Sequence, residues 1–258
     1  MNDVSFIQLI ALASLLLFFL LQTWLPRRSL VSSGVQRVFH NVSLFALNSI
    51  ILRVLIPLTL VSISLSAINQ GFGVFNLIEL PKWLTISVCV VLLDLSIYVQ
   101  HRATHYFPLL WRMHKVHHAD TDMDVTTAVR FHPLELILSL GYKSAVIVLL
   151  GAPVSAVLLF ELLLFIGPAF NHSNIKLPAS LDRILRWVIV TPDTHRTHHS
   201  INVKEQNTNY GFFLIWWDKL FMTYTDVPIG GHQTMAIGLI GDHHQCDRIE
   251  QMLMAPFR

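Results

Sequence analysis

Residues His101 to Asp120 read HRATHYFPLLWRMHKVHHAD, five histidines within eighteen residues of a chain that is otherwise apolar. The spacing is HxxxH followed by HxxHH. On a helix, positions i, i+3 and i+4 share a face, so His101 with His105, and His114 with His117 and His118, form ready sets of imidazole ligands. The second pattern returns as HRTHH, giving His195, His198 and His199. Neutral imidazole suits Fe, Zn, Cu and Ni, and these eight rings exceed what one tetrahedral or octahedral ion can take, so two metals are expected. Further rings stand at His172 and His132. No HExxH zinc-protease signature and no cysteine cluster for a structural zinc accompany them. The remaining histidines, His40, His232 and the pair His243 and His244, read as solvated or interfacial side chains.

Outward from this core the chain is that of an integral membrane protein: 258 residues, 53% hydrophobic and only 13% charged. A net charge of +2 with scattered Lys and Arg gives no nucleic-acid surface. Cys89 lies in an apolar run and Cys246 in the polar tail, so a disulfide is not expected and the polar parts face a reducing compartment.

Val4 to Leu25 has spanning length and reads as an anchor rather than a cleaved signal, closed by Trp24, Pro26, Arg27 and Arg28. A second span is expected over Val42 to Ala67, holding Arg53, and a third over Trp83 to Gln100, delivering His101. Leu134 to Phe170 is broken by GAP at Gly151 to Pro153 and predicts two helices joined by a tight turn. Five crossings result, or three and a hairpin that dips in and returns. Arg27, Arg28 and Arg37 put the end of the first span in the cytoplasm by the positive-inside tendency, and the alternation then brings every histidine cluster to that same face. The expected organisation is all-α and one integrated domain: N-terminal transmembrane helices over 1–82, then a region over 83–258 with helices 83–100 and 134–170 in the membrane and a cytoplasmic histidine-rich helical cap.

The order HRATH, HKVHH, NHSN, HRTHH, with the flanking stretches DLSIYVQHRATH, TTAVRFHPLE and NYGFFLIWWDKLFMTY, resembles the fatty acid hydroxylase and sterol desaturase superfamily of membrane non-haem di-iron enzymes, over roughly Asp94 to Tyr224. The resemblance implies a transmembrane bundle under a cytosolic histidine domain, two irons, dioxygen as co-substrate, and hydroxylation or desaturation of a lipid such as a sterol, fatty acyl chain or sphingolipid. Zinc is expected as a substitute in purified protein. This sequence departs from the pattern in the third motif, where some members supply a histidine pair and this chain has Asn171 and His172; His132 is the candidate that makes up the number, or a residue supporting the ligands.

Ligating rings need their other nitrogen anchored by an acceptor. Asp94, two helical turns before His101 with Tyr98 between, is a candidate, and Glu161, eleven residues before His172, sits similarly; Asp193 and Asp218 are weaker ones. A carboxylate inside a span otherwise needs a partner such as Arg53. Phe212, Phe213, Trp216, Trp217 and Phe221, with Lys219 among them, read as an interfacial anchor. The chain has no haem-attachment motif, iron–sulfur cysteines or dinucleotide fingerprint, so an external ferredoxin- or cytochrome-type donor with its reductase is expected, docking near Arg112, Lys115 and Lys204. The compact length, without a retrieval signal at MLMAPFR, fits a bacterial inner membrane. Two rivals stand beside the oxygenase: a membrane zinc hydrolase using the same rings to activate water, and a metal transporter, which would carry its ligands near the bilayer midplane rather than at the ends of spans.

Overall fold

In a bilayer an apolar segment must satisfy its backbone hydrogen bonds internally, and the long apolar runs accordingly close into helices. The computed structural model describes residues 3–31, 34–56, 58–241 and 246–258, so His243 and His244 lie outside the described residues. In chain order the helices are α1 (Asp3–Trp24), α2 (Gly34–Leu55), α3 (Leu60–Asn69), the short α4 (Val74–Leu77), α5 (Lys82–Tyr106), α6 (Pro108–His118), α7 (Pro133–Leu150) and α8 (Val154–Asn171). The cap adds α9 (Ala179–Leu185), α10 (Pro192–His198), α11 (Val203–Gln206), α12 (Trp216–Leu220), α13 (Gly231–Thr234) and α14 (Ile249–Met254). Among the described residues there is no strand beyond isolated bridges. Four stretches, Gly34–Leu77, Lys82–Tyr106, Pro133–Leu150 and Val154–Asn171, are long and apolar enough to cross a membrane, and Leu9–Trp24 is a shorter apolar helix. The all-helical, membrane-embedded class read from composition is therefore the class of the fold.

α5 and α8 pack together at the centre, with α7 against α5, α1 against α8, and α3 across α7 and α8. Their shared core is Leu60, Cys89, Leu93, Ile97, Ile147, Ala152, Ala156, Val157 and Phe160. Small residues at 152 and 156 let the helices approach closely, which is how packing replaces the hydrophobic drive inside lipid. Ser64 of α3 donates to the Ala152 carbonyl at 2.6 Å.

The GAP turn forms where the sequence put it. Gly151 adopts φ 66°, and a Cβ there would lie 2.6 Å from Asn76 Nδ2 and 2.8 Å from the Phe72 carbonyl, so only glycine fits. The second expected span is interrupted: α2 ends at Leu55 and α3 starts at Leu60, with Thr59 accepting from the Ser62 amide at 3.1 Å as its cap. The third runs past its expected end at Gln100. With 25 residues, α5 is roughly 37 Å long, more than the roughly 30 Å hydrocarbon core requires, and its last two turns carry His101 and His105. Phe107, held extended (φ −92°, ψ 119°) because a proline follows, then turns the chain within one residue and folds α6 back beside α5.

Arg37, counted from sequence among the basic residues that follow the first span, has a structural role as well. It is buried, donates to Asp120 Oδ2 at 2.8 Å and pairs with Asp124. Asn41, one turn on, donates to Asp120 at 3.1 Å and accepts from Arg130 at 2.8 Å, while Asn48 donates to the Phe131 carbonyl at 2.8 Å. One face of α2 is thus tied to the loop that follows the HKVHH motif. Burial alone would raise the Asp120 carboxyl, but the guanidiniums of Arg37 and Arg130 hold it below the ordinary carboxylate value. Replacing Arg37 by Met strands two buried carboxylates and is expected to cost about 3–5 kcal/mol. Thermal unfolding in detergent checks this; Arg53→Met, at the far end of the same helix, should shift the midpoint far less.

Candidate metal centre

The histidines gather into two adjoining sets. His101 and His105 from α5, His114 and His118 from α6 and His198 from α10 form one; His117 from α6, His172 at the end of α8, and His195 and His199 at α10 form the other. Within each set, the ring nitrogens available as ligands all lie within 4.8 Å of one another. Both HxxHH motifs are divided between the sets: His118 and His117 part company on α6, as do His198 and His199 at α10, and the His118 and His199 rings meet at a centroid distance of 4.5 Å. All nine are buried except His105, which is half-buried.

The spacing of the nitrogens fits a metal. His198 Nε2 faces His101 Nε2, and His172 Nε2 faces both His117 Nε2 and His195 Nε2, each pair at 3.0 Å. Two ligands at right angles about an ion at roughly 2.1 Å would stand about 3.0 Å apart. The hydrogen-bond inventory agrees, since buried ring nitrogens of His105, His114, His118 and His199 have no protein partner. A buried imidazole nitrogen without a partner is costly unless a metal takes the lone pair.

The opposite nitrogens of four rings are anchored. Nδ1 of His101 meets the Tyr210 carbonyl at 2.8 Å, that of His198 the Thr208 carbonyl at 2.7 Å, that of His172 the Pro168 carbonyl at 2.9 Å, and that of His114 the Glu135 carboxylate at 2.7 Å. With Nδ1 donating, Nε2 is left as the free lone pair. The carbonyls holding His101 and His198 flank a single residue, Asn209, whose φ of 53° lies in the left-handed region that asparagine tolerates. Its side chain is fixed by the Thr194 and Thr225 carbonyls, each at 2.8 Å. The Asp218 carboxylate receives the amides of Tyr210 and Gly211 at 2.8 and 2.7 Å. The NYG stretch is therefore a clamp for two rings, one from a membrane helix and one from the cap.

Several sequence candidates stand elsewhere. His132 is not among either set: Nδ1 accepts from the Leu134 amide at 3.1 Å, capping α7, and Nε2 meets the Leu253 carbonyl at 3.2 Å. Both its nitrogens are engaged, and its consequence is to start α7 where Glu135, three residues on, reaches His114. Asp94 holds no histidine; it accepts from Trp217 Nε1 at 2.7 Å and the Leu214 amide at 3.2 Å, fastening the segment after the NYG turn to α5. Tyr98 bonds to Thr223 at 2.9 Å and stacks on Phe221. Asn171 donates to the Phe212 carbonyl at 2.9 Å. Glu161 has Lys143 of α7 as its charged neighbour. Asp193 pairs with Arg27 and Arg196 and faces His232, which is buried rather than solvated. The aromatic segment divides: Trp216 is exposed, whereas Trp217 is buried and Phe212 turns inward toward His101.

Glu135 went unassigned from sequence although HPLE contains it. The signal was there in principle, an acidic residue in the first turn of a helix whose cap is a histidine, but nothing local says which ring it meets. The backbone carbonyls of Pro168, Thr208 and Tyr210 carry no sequence signal at all.

Burial holds His117, His118, His195 and His199 well below the ordinary imidazole value, and each ring's neighbours, positive if protonated, push the same way. His198 falls to about 3, again by burial first, against the Thr208 carbonyl that favours its charged form. Neutral rings are ligands; protonated ones are not.

Residues 86–223 match the sequence profile described as fatty acid hydroxylase. The chain is similar to the ornithine lipid hydroxylase of Rhizobium tropici, 33% identical over 149 residues, covering 57% of this chain and 44% of that protein. It is similar to alkylglycerol monooxygenase of Homo sapiens, 30% identical over 156 residues, 60% of this chain and 34% of that one. A cholesterol 25-hydroxylase-like protein of Danio rerio is 30% identical over 140 residues, 54% of each. The chain thus spans only 34% to 54% of the length of these relatives. No solved structure matches it.

Glu135→Ala frees the His114 ring and Asn209→Ala loosens the turn under His101 and His198; each is expected to weaken metal retention about 10- to 100-fold, measured by competition with a chelator. Glu135→Gln, which still accepts a hydrogen bond, should lose much less. A pH effect follows from the depressed imidazoles. A histidine whose folded pKa lies below its unfolded one contributes its full stability above about 6.5, and that stability is lost as pH falls and the unfolded form binds protons. The thermal midpoint in detergent should therefore drop from pH 7 to pH 5 with a slope requiring more than one proton.

Proposed function

The chain belongs to the fatty acid hydroxylase family, and from that footing we propose that it is a membrane-bound, iron-dependent lipid hydroxylase that consumes dioxygen and external electrons. The observation that carries the reading is the pair of adjoining, buried imidazole sets with unpartnered ring nitrogens. Hydroxylation is preferred to desaturation because the similar proteins are named hydroxylases and monooxygenases.

In this reading His101, His105, His114, His118 and His198 hold one iron, and His117, His172, His195 and His199 the other. Iron bound there would supply the redox chemistry that turns dioxygen against an unactivated C–H bond. The protein does the rest by geometry. Neutral imidazoles leave the metal charge uncancelled. Glu135 and the carbonyls of Tyr210, Thr208 and Pro168 keep the proton on Nδ1, so that Nε2 faces inward. A cavity of about 190 Å³ adjoins His101 and His114 between α5, α7 and α8, walled by Ile97, Phe131, Leu136, Leu164 and Phe212. An alkyl segment entering from the bilayer meets this site without crossing water, which also keeps solvent from the reacting carbon.

Electrons come from a separate ferredoxin- or cytochrome-type donor with its reductase. Its docking face is the side where an open groove reaches the half-buried His105 beside Trp111 and Val203, with Arg112 and Lys204 exposed next to these residues. Exposed Arg102, Arg112, Lys204 and Lys219 accompany the histidine-bearing elements, against exposed Lys82 and Arg53 at the opposite ends of α5 and α2; this excess supports a cytoplasmic orientation, and the same reading puts the protein in a bacterial inner membrane.

Protein purified in mild detergent from iron-replete cells is expected to carry about two irons per chain and to lose both when His114, His117 and His118 are replaced by Ala. Labelled oxygen from ¹⁸O₂ should enter the lipid product. Zinc bound in place of iron should give protein inactive until exchanged, whereas product formation under strict anaerobiosis would replace this reading with the zinc hydrolase.

A further inference from the structure

The wall of the cavity that adjoins His101 and His114 is not uniformly apolar. Glu135, Ser139 and Lys143 follow one another at intervals of four along α7 and all line it, with Gln100 of α5 opposite, accepting from Ser139 at 3.3 Å. Glu135 is accounted for by His114. Lys143 is not. It lies nearly three helical turns into a candidate membrane span, and the residues described give its ammonium group no hydrogen bond and no ion pair; Glu161 of α8 is its charged neighbour without being in salt-bridge contact. A cation inside a span is costly and in a bilayer marks a functional position. If the cavity received only hydrocarbon, this stripe would gain nothing over leucine.

We infer that Lys143, with Ser139 and Gln100, is a substrate-selecting site that binds an acceptor oxygen, a carboxylate or a carbonyl, at the polar end of the lipid. This rests on the lipid hydroxylase reading and narrows it. The cavity, about 190 Å³, is smaller than the roughly 300–1,000 Å³ of sites that enclose a whole small molecule, so it takes one segment of the lipid. The acceptor oxygen and the carbon beside His101 and His114 then belong to that same segment. Oxidation falls close to the polar group, and the hydrocarbon tail trails into the bilayer.

The test uses binding as its readout, so it does not depend on turnover. Iron-loaded protein in detergent is titrated with three radiolabelled probes of one chain length: palmitate, its methyl ester and hexadecane. The wild type should bind one of the oxygen-bearing probes at least about tenfold more tightly than the alkane, the gain of a charge-assisted hydrogen bond. A carboxylate preference identifies a free-acid end, an ester preference a lipid carbonyl. Lys143→Met should erase the discrimination while retaining iron and elution volume, and Lys143→Arg should keep most of it; Ser139→Ala, less disruptive to folding, should reduce it severalfold. Equal binding of all three probes by the wild type, or unchanged discrimination in Lys143→Met, overturns the inference. So does recovery of discrimination in Lys143→Met combined with Glu161→Gln, because the lysine would then only have been balancing Glu161. If the probes discriminate as expected but no ¹⁸O enters a lipid, the site stands and the hydroxylase reading falls.

Discussion

Everything in this molecule answers to the cost of gathering nine imidazoles, eight of them buried, and leaving several of their nitrogens without protein partners. No membrane bundle tolerates that by accident, since a buried polar group without a partner costs free energy that packing cannot return. The rest of the architecture is arranged to make it sustainable. The one-residue corner at Phe107 lays α6 along α5, the NYG turn grips one ring from each side of the site, and the cap of α7 aims a carboxylate at a third. A metal bound in such a site would couple to folding, because the unfolded chain offers no comparable set of converging nitrogens.

What could be read from the sequence was whatever is local. Helix-period histidines, spans of bilayer length and the glycine of the GAP turn are each determined within a few residues, and the fold honours them. The break before Leu60 and the extension of α5 to Tyr106 were missed, because hydropathy measures where a segment is greasy and not where its hydrogen bonds stop. Residues whose meaning depends on distant partners were read incompletely. Arg37 counted as a topological charge and is also a buried strut; Asp94 was offered to a histidine and holds Trp217; His132 was offered to a metal, or as a support for the ligands, and caps α7. In each case the residue was rightly singled out as too polar for its place, but only tertiary contact decides what relieves it.

The same reasoning explains why the N-terminal helices are more than an anchor. α2 contributes Arg37, Asn41 and Asn48 to a buried polar network that also includes Asp120, Thr127 and Arg130, immediately after the second histidine motif. α1 packs against α8, the helix that presents His172, and the chain just after it is bridged to the strand-like stretch at Ile175. A region that sequence reading separates as membrane helices 1–82 is thus in direct contact with the segments that flank the histidine sets.

The division of the two HxxHH motifs between the sets has one more consequence. His117 and His118 are consecutive, as are His198 and His199, and in both pairs one ring serves each set. The separation of two consecutive Cα atoms is fixed at about 3.8 Å by covalent geometry. The distance between the two sets is therefore gauged twice by the peptide backbone itself, on two helices that approach from different sides. The rings still turn about their side-chain bonds, but only within the reach of one imidazole, and both pairs hold their ring centroids close together, at 5.4 and 5.5 Å, so the two sets are kept neighbours by the chain itself.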